Sequence, residues 1–442
     1  MVYKKKSTKI KEPLVKKTKK SFQALRGMKD ILAKDWFYYD QIFNNAKKIF
    51  EFYNFQRIET PLLEKAELFT KGVGKKTDVV DKEMYILRAK ENKELLALRP
   101  EGTASVVRAY IEKGMFNLPQ PVKFYYFGPF FRHEKPQAGR YRQFYQLGAE
   151  IIGEEDVTTD AEIILLSKIF LENLGFSKKN IFLLINSIGC PKCRPLYIKE
   201  LKKYYKKVDK EICSDCHRRI KENPLRVLDC KNEKCSVIKE GAPPILDYLC
   251  PECRDHFKSL LELLDYLNIP YILDKTLVRG LDYYTKTVFE FCFEGETDKI
   301  SLGGGGRYDE LTETIGGIKK PAVGVAFGVE RLMQEMIDQG KKFKSFMPKV
   351  FLVQIGEAAK KMSFKILEQF RKENILLGEN LGKENLKSQL KIADRLGVKY
   401  VLILGQQEVL DGMIILKDMN SGLQELIPWE KIVSEVKKRL KK

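Results

Sequence analysis

From Gln23 to about Phe170, apolar positions switch repeatedly between helical and strand-like spacing. Trp36, Tyr39, Phe43, Ala46 and Phe50 fall on one face of a helix predicted over about Asp35–Tyr53. A short strand, Ile58 to Leu63, follows and is interrupted by Pro61. Two β-rich runs, 122–133 and 142–152, flank a Pro- and Gly-containing loop at 134–141, which predicts a long antiparallel hairpin. Strand signal then fades over 188–265 and resumes at about Pro270 to Phe293. A Gly-rich turn at Gly303–Gly306 and a helix from about Gly324 are expected next. From Lys349 the runs VFLVQI, NILLG, YVLILG and MIILKD alternate with helical stretches that end at Trp429–Leu440. That spacing predicts a compact α/β domain of about 95 residues.

The expected organisation is a basic tail at 1–20, a core at 21–187, a Cys-rich insertion at 188–265, a return to the core at 266–340 and a C-terminal domain at 347–442. The tail holds nine lysines and no hydrophobic period, and reads as disordered and solvated. No apolar run approaches the roughly 20 residues a bilayer requires. The N-terminus has no signal-peptide segment and no Arg in its first twenty residues, so a cytoplasmic location and no membrane partner are expected.

The net charge of +20 nominates a polyanionic partner, although a Lys-rich solvated surface gives the same figure. Eight of the nine cysteines lie between Cys190 and Cys253. Their pairs are Cys190/Cys193, Cys213/Cys216, Cys230/Cys235 and Cys250/Cys253, a spacing that suits two four-cysteine sites for structural zinc. Which pairs combine is open, His217 or His256 could take a corner, and free buried thiols are the alternative. Cys292, within FCF, reads as core.

Two motifs fail. Gly72 to Thr77 resembles a phosphate loop but has Phe69 where a Gly is needed and Lys76 where Ser or Thr is needed. Lys361–Lys365 (KMSFK) lies on an amphipathic helix, where Met362 and Leu367 read as core.

The hairpin is more informative. Side chains two apart share a face, so Arg142, Phe144, Gln146, Gly148 and Glu150 point together, as do Phe130, Arg132 and Glu134. Polar groups around a side-chain-free Gly148 suit the floor of a pocket for a polar, partly anionic ligand. A solvent-exposed polar face would alternate in the same way.

FRHE with its loop and RQF resembles motif 2 of class II aminoacyl-tRNA synthetases. LRPEGTA (Leu98–Ala104), LVRGLDYYTKTVFE (Leu277–Glu290) and GGGGRYD (Gly303–Asp309) are similar to signatures of the histidine-specific family, and PAVGVAFGVERL (Pro321–Leu332) resembles motif 3. Motif 1, around Ile58 to Gly74, is weaker. Tyr145 departs from a His common in that family and, by alternation, faces away from Gln146.

The resemblance implies an α+β class II core, an antiparallel sheet flanked by helices, with a Cys-rich insertion and a C-terminal α/β anticodon-binding domain. It implies attachment of L-histidine to its tRNA with ATP and Mg²⁺ through a histidyl-adenylate, by a homodimer. It assigns Arg132 and Arg279 to catalysis, Arg132 also to the α-phosphate, and Glu101, Thr103 and Gln146 to the α-ammonium group. Glu150, Tyr283 and Tyr284 would read the imidazole. Arg331, with Gly304 and Gly305, would meet ATP, and Arg140 and Arg142 the tRNA. Arg194, Lys199, Lys202, Lys203, Lys206 and Lys207 suit the acceptor arm or, equally, a solvated helix face, and the C-terminal domain suits the anticodon. A non-catalytic regulator related to the synthetases and a zinc-ribbon RNA binder are the rival readings.

Overall fold

The helix Ala33–Phe52 buries Tyr39, Ile42, Ala46, Ile49 and Phe50 in a computed structural model that describes residues 22–89, 94–136, 139–177, 179–294, 299–341, 347–383 and 385–441. The segment 1–20 lies outside the described residues. The buried stripe is rotated slightly from the expected one. Trp36 and Phe43 sit at its edges, where they meet Tyr145 and Phe127 rather than the centre of the core.

An eight-stranded sheet organises the first unit, in the order Gln56–Arg57, Val122–Phe131, Gln143–Ile152, Ala322–Gly328, Lys299–Arg307, Thr285–Glu294, Ile181–Ser187, Tyr271–Leu273. The inner strands pair antiparallel, and each edge strand is added parallel. The expected hairpin is present, with Phe124 opposite Glu150 and Phe130 opposite Phe144. Three helices, Ala33–Phe52, Thr158–Asn173 and Val329–Asp338, cover one face. Odd-numbered Tyr145 enters that layer, where Glu330 accepts from its backbone N–H and from the Tyr39 hydroxyl, each at 2.9 Å. Gln146 is left on the opposite face.

Three expectations need correction. Gly303–Gly306 form no turn; they lie inside the Lys299–Arg307 strand, hydrogen-bonded on both sides. Two flanking strands overcome the low intrinsic strand preference of glycine. The stretch at Gly324 is likewise strand, Ala322–Gly328, and the helix begins only at Val329. Finally, Ile58–Leu63 is no strand. Gln56–Arg57 joins the large sheet, Leu63–Lys65 joins a separate three-stranded sheet with Ile86–Arg88 and Leu95–Leu98, and Pro61, which lacks an N–H donor, lies between them.

Insertion residues Tyr197, Leu201, Tyr205, Val227 and Leu228 belong to the same apolar cluster as Ala104, Tyr126 and Tyr283. The insertion therefore shares the core of the first unit. The second compact unit begins at residue 343. Its sheet runs Leu377–Glu379, Val350–Gln354, Tyr400–Leu404, Met413–Asp418, Gln424–Pro428, with the first three strands parallel. Val350, Leu352, Leu402 and Leu404 fill one face, and Phe351, Val353, Val401 and Ile403 the other. KMSFK lies within the helix Glu357–Lys372, with Met362 and Leu367 packed on the core.

At the end of the glycine strand, Arg307 is fully buried. Its guanidinium donates to Asp160, to Thr159 Oγ1 at 2.9 Å and to the carbonyls of Glu154 and Asp156 at 3.2 and 3.1 Å, and it also meets Asp309. Asp160 sits on the Thr158–Asn173 helix, so this cluster locks strand to helix. Removing the cation strands a buried carboxylate. Arg307→Met is expected to lower unfolding stability by about 3–5 kcal/mol in urea titration, and Arg307→Met with Asp160→Leu to recover much of that loss. Equal stability of the single variant and the parent would contradict this account.

Candidate active site

The uncovered face of the sheet floors a cavity of about 740 Å³, within the size range of small-molecule sites. Arg132, at the end of the first hairpin strand, donates from Nε to the Pro100 carbonyl at 2.8 Å, and its guanidinium lies 5.3 Å from the Phe144 ring centroid. Arg279, on the loop before the Thr285–Glu294 strand, lies 3.5 Å from Glu290. Arg331, on the helix after the Ala322–Gly328 strand, donates to the Ser301 carbonyl at 3.0 Å. All three line the one cavity, although they come from distant parts of the chain.

Glycine makes that convergence possible. A Cβ on Gly304 would stand 2.8 Å from the Arg279 guanidinium, so the arginine can lie across the strand only because the strand has no side chain there. Gly303 and Gly304 line the cavity. Gly305 does not; it packs against the Gly324 carbonyl.

On the same face as Gln146 lies Glu150, 1% exposed and covered by residues of the cavity wall. Thr103 Oγ1 donates to Oε1 at 2.8 Å and Tyr126 to the same oxygen at 3.3 Å, while the Tyr308 hydroxyl donates to Oε2. Burial pushes this carboxyl up to about 8, with Glu101 adding to the rise and the hydroxyl donors opposing it. A Cβ on Gly324 would overlap Oε2 at 1.7 Å, so the neighbouring strand is shaped around this carboxylate.

Glu101 is also buried and shifted upward, chiefly by desolvation. Its oxygens accept from the Thr103 and Ala104 amides, each at 2.8 Å, at the start of the Thr103–Glu112 helix, and the Tyr283 hydroxyl is 3.4 Å away. Oε1, which accepts from Ala104 alone, keeps a second lone pair for a cation. Gln146 lines the cavity, and its Oε1 is buried with no protein partner. Tyr283 and Tyr284 pack ring to ring, with centroids 4.7 Å apart, on the cavity wall.

Arg140 lines the cavity and lies 3.5 Å from Glu134. Arg142 turns elsewhere. Its guanidinium donates to the backbone carbonyls of Glu134 and Arg26 at 3.2 and 3.4 Å. Arg194 is likewise used internally, donating to the Tyr284 carbonyl at 2.6 Å, whereas Lys199, Lys202, Lys203, Lys206 and Lys207 remain exposed on the Arg194–Lys207 helix.

Sequence reasoning missed four residues here. Tyr308 was visible in GGGGRYD and Tyr126 at an even position of the hairpin, yet nothing signalled that both hydroxyls reach Glu150. Arg219 and Arg226 of the insertion also line the cavity, and each holds Asp78 at 3.2 Å. The eight insertion cysteines gather as Cys190, Cys193, Cys250 and Cys253, and as Cys213, Cys216, Cys230 and Cys235. Neither histidine joins them: His217 faces Asp209, and His256 faces Asp160.

A family model for histidyl-tRNA synthetase matches residues 27–332, and one for an anticodon binding domain matches residues 349–439. The histidine–tRNA ligase of Halothermothrix orenii is 45% identical over 417 residues, covering 94% of this chain and 99% of its own. That of Thermodesulfovibrio yellowstonii is 45% identical over 403 residues, covering 91% and 95%. Among solved structures, the apo histidyl-tRNA synthetase of S. aureus matches with a TM-score of 0.76 and 34% identity, covering 94% of this chain and 99% of that one. With its signature residues gathered around one cavity and relatives matched over nearly their whole length, the chain belongs to the histidyl-tRNA synthetase family.

Proposed function

We propose that the cavity joins the carboxylate of L-histidine to the α-phosphate of ATP, expels pyrophosphate, and passes the histidyl group from the adenylate to the 3′-terminal ribose of histidine tRNA. The observation that carries this reading is the convergence of Arg132 and Arg279 on one cavity whose wall residues Thr103, Tyr126 and Tyr308 cover the buried Glu150. Two anions meet at a phosphorus that gains negative charge, so fixed cations are needed where that charge develops. Arginine suits the task because its planar fork binds oxyanions in pairs and keeps its proton. Arg279 spans the carboxylate and the α-phosphate, Arg132 holds the α-phosphate, and Arg331 meets the adenine and γ-phosphate. Mg²⁺ arrives on the triphosphate as part of the substrate.

Glu101, Thr103 and the unpartnered Gln146 Oε1 receive the α-ammonium group. Glu150 and Tyr284, with Tyr283 beside them, read the ring nitrogens, and a ring without those nitrogens leaves buried polar groups unpaired. The hydroxyls over Glu150 re-aim to admit the ring, since the carboxylate lies behind Thr103, Tyr126 and Tyr308.

The C-terminal unit takes the anticodon, and the exposed lysines of the insertion take the acceptor arm. Leu62, Leu63, Ile86, Leu87 and Leu95 are large, exposed and gathered on or beside the three-stranded sheet, which supports a homodimer closed through that surface. Among the described residues no helix is long and apolar enough to cross a membrane; tRNA charging places the work in the cytoplasm.

Histidine-dependent ATP–pyrophosphate exchange tests the chemistry. The parent exchanges with histidine alone, and Arg279→Ala loses about a hundredfold or more; an unchanged Arg279→Ala rate would remove the mechanism. A ring N–H donated to Glu150 favours the ionised carboxylate, so its acidity rises on binding. With the free group at about 8, histidine binding releases a proton below that pH, and affinity climbs with pH until about 8. Calorimetry at about pH 7.5 in buffers of different ionisation enthalpy should find up to about one proton released, and none in Glu150→Gln. A parent that releases no proton contradicts the assignment. For the dimer, Ile86→Glu with Leu87→Glu should sediment as a monomer; a dimer of unchanged strength would place the interface elsewhere.

A further inference from the structure

We propose that the insertion holds two structural zinc ions in separate closed tetrathiolate sites, one made by Cys190, Cys193, Cys250 and Cys253 and the other by Cys213, Cys216, Cys230 and Cys235. The four sulfurs of each group lie within 4.8 Å of one another. Zinc–sulfur bonds of about 2.3 Å at tetrahedral angles put neighbouring sulfurs about 3.8 Å apart. The observed separations are 3.7 Å for Cys190–Cys193, 3.8 Å for Cys190–Cys250, 3.9 Å for Cys193–Cys253 and 3.7 Å for Cys213–Cys230. Disulfides would bring sulfurs to about 2.05 Å and join them only in twos. Ordinary packing of small apolar side chains gives no reason for eight thiols to gather in two fours.

The surroundings fit thiolates. The Cys190 amide donates to Cys193 Sγ at 3.2 Å, and the Cys213 amide to Cys235 Sγ at 3.3 Å, as expected for sulfurs that carry charge. Gly189 takes a left-handed φ of +66°, and a Cβ there would stand 2.6 Å from Cys193 Sγ, so the knuckle requires its glycine. No described His, Asp or Glu completes either group. With four thiolates each, the sites keep no open position, and binding releases the thiol protons while forming zinc–sulfur bonds.

Each site has a separate task. The first joins the exit of the insertion, just after the Ile181–Ser187 strand, to its return at the Pro251–Tyr266 helix, and so closes the loop at its root. The second gathers the start of the Ser214–Glu222 helix, the end of the Pro224–Asp229 turn and the Glu233–Glu240 helix. Arg219 and Arg226 lie between those anchors, and Cys213 and Cys230 stand on the cavity wall. The second ion therefore fixes the wall that grips Asp78.

Metal content of the purified full-length chain tests the proposal independently of its catalytic reading. Elemental analysis should find two zinc ions per chain, and cobalt exchange should give the visible bands of tetrahedral cobalt with thiolate charge transfer. Cys190→Ser with Cys253→Ser should lose one ion, as should Cys213→Ser with Cys235→Ser, while Cys190→Ser with Cys213→Ser loses both and Cys292→Ser loses neither. A parent chain without metal, one whose eight thiols react freely with a thiol reagent, or one that carries iron overturns the proposal. So does a Cys190→Ser, Cys253→Ser chain that loses both ions while still folded by circular dichroism. Should the variants not fold, the zinc count and cobalt spectrum of the parent decide.

Discussion

A carboxyl group on the cavity face of the sheet, yet out of reach of water, constrains everything around Glu150. Its desolvation would be prohibitive without donors, and three hydroxyls supply them from the hairpin, from the Thr103–Glu112 helix and from the residue after the glycine strand. Each donor fixes one element against the others. Gly324 is a consequence, because any side chain there would occupy the position of Oε2. A polar group that is costly to bury thus specifies how three parts of the chain meet, and burial raises its affinity for a proton.

The cationic side of the site obeys a different rule. Arg132, Arg279 and Arg331 are each tethered by one or two protein acceptors, which leaves N–H groups of every guanidinium unused by the protein. They do not form the dense network that surrounds Arg307, whose donors are all engaged by the protein. The contrast separates an arginine wholly engaged by the fold from three that line the cavity with few protein acceptors, as the proposed reaction requires.

Much of this was legible in the sequence. The hairpin, the outward turn of Tyr145 and the helical nature of KMSFK followed from period and turn chemistry alone. The glycine run misled because local preference marks four glycines as a turn, whereas the two strands beside them, distant in sequence, make them a strand. Tyr308 and Tyr126 were in view but had no evident role, since a phenol in a strand carries no signal of the carboxylate it will meet. The cysteine spacing gave the knuckles but not their partners, because only the fold brings 190 to 250 and 213 to 230. Which arginines would line the cavity was legible through resemblance for Arg279, and not at all for Arg226.

The insertion then ceases to be an appendage. Arg194 holds the Tyr284 carbonyl, Asn223 donates to Asp282 at 2.6 Å, and Arg219 and Arg226 reach Asp78 across the cavity rim. Asp282 and Tyr284 belong to the same loop as Arg279, so a shift of the insertion displaces the support of the arginine proposed to be catalytic. These contacts sit on a segment of short helices and little strand whose apolar side chains join the core of the first unit. Under the zinc proposal, four cysteines at its root and four at its rim would add cross-links to that shared core, and the polar tethers would then hold the 279–284 loop against a braced segment.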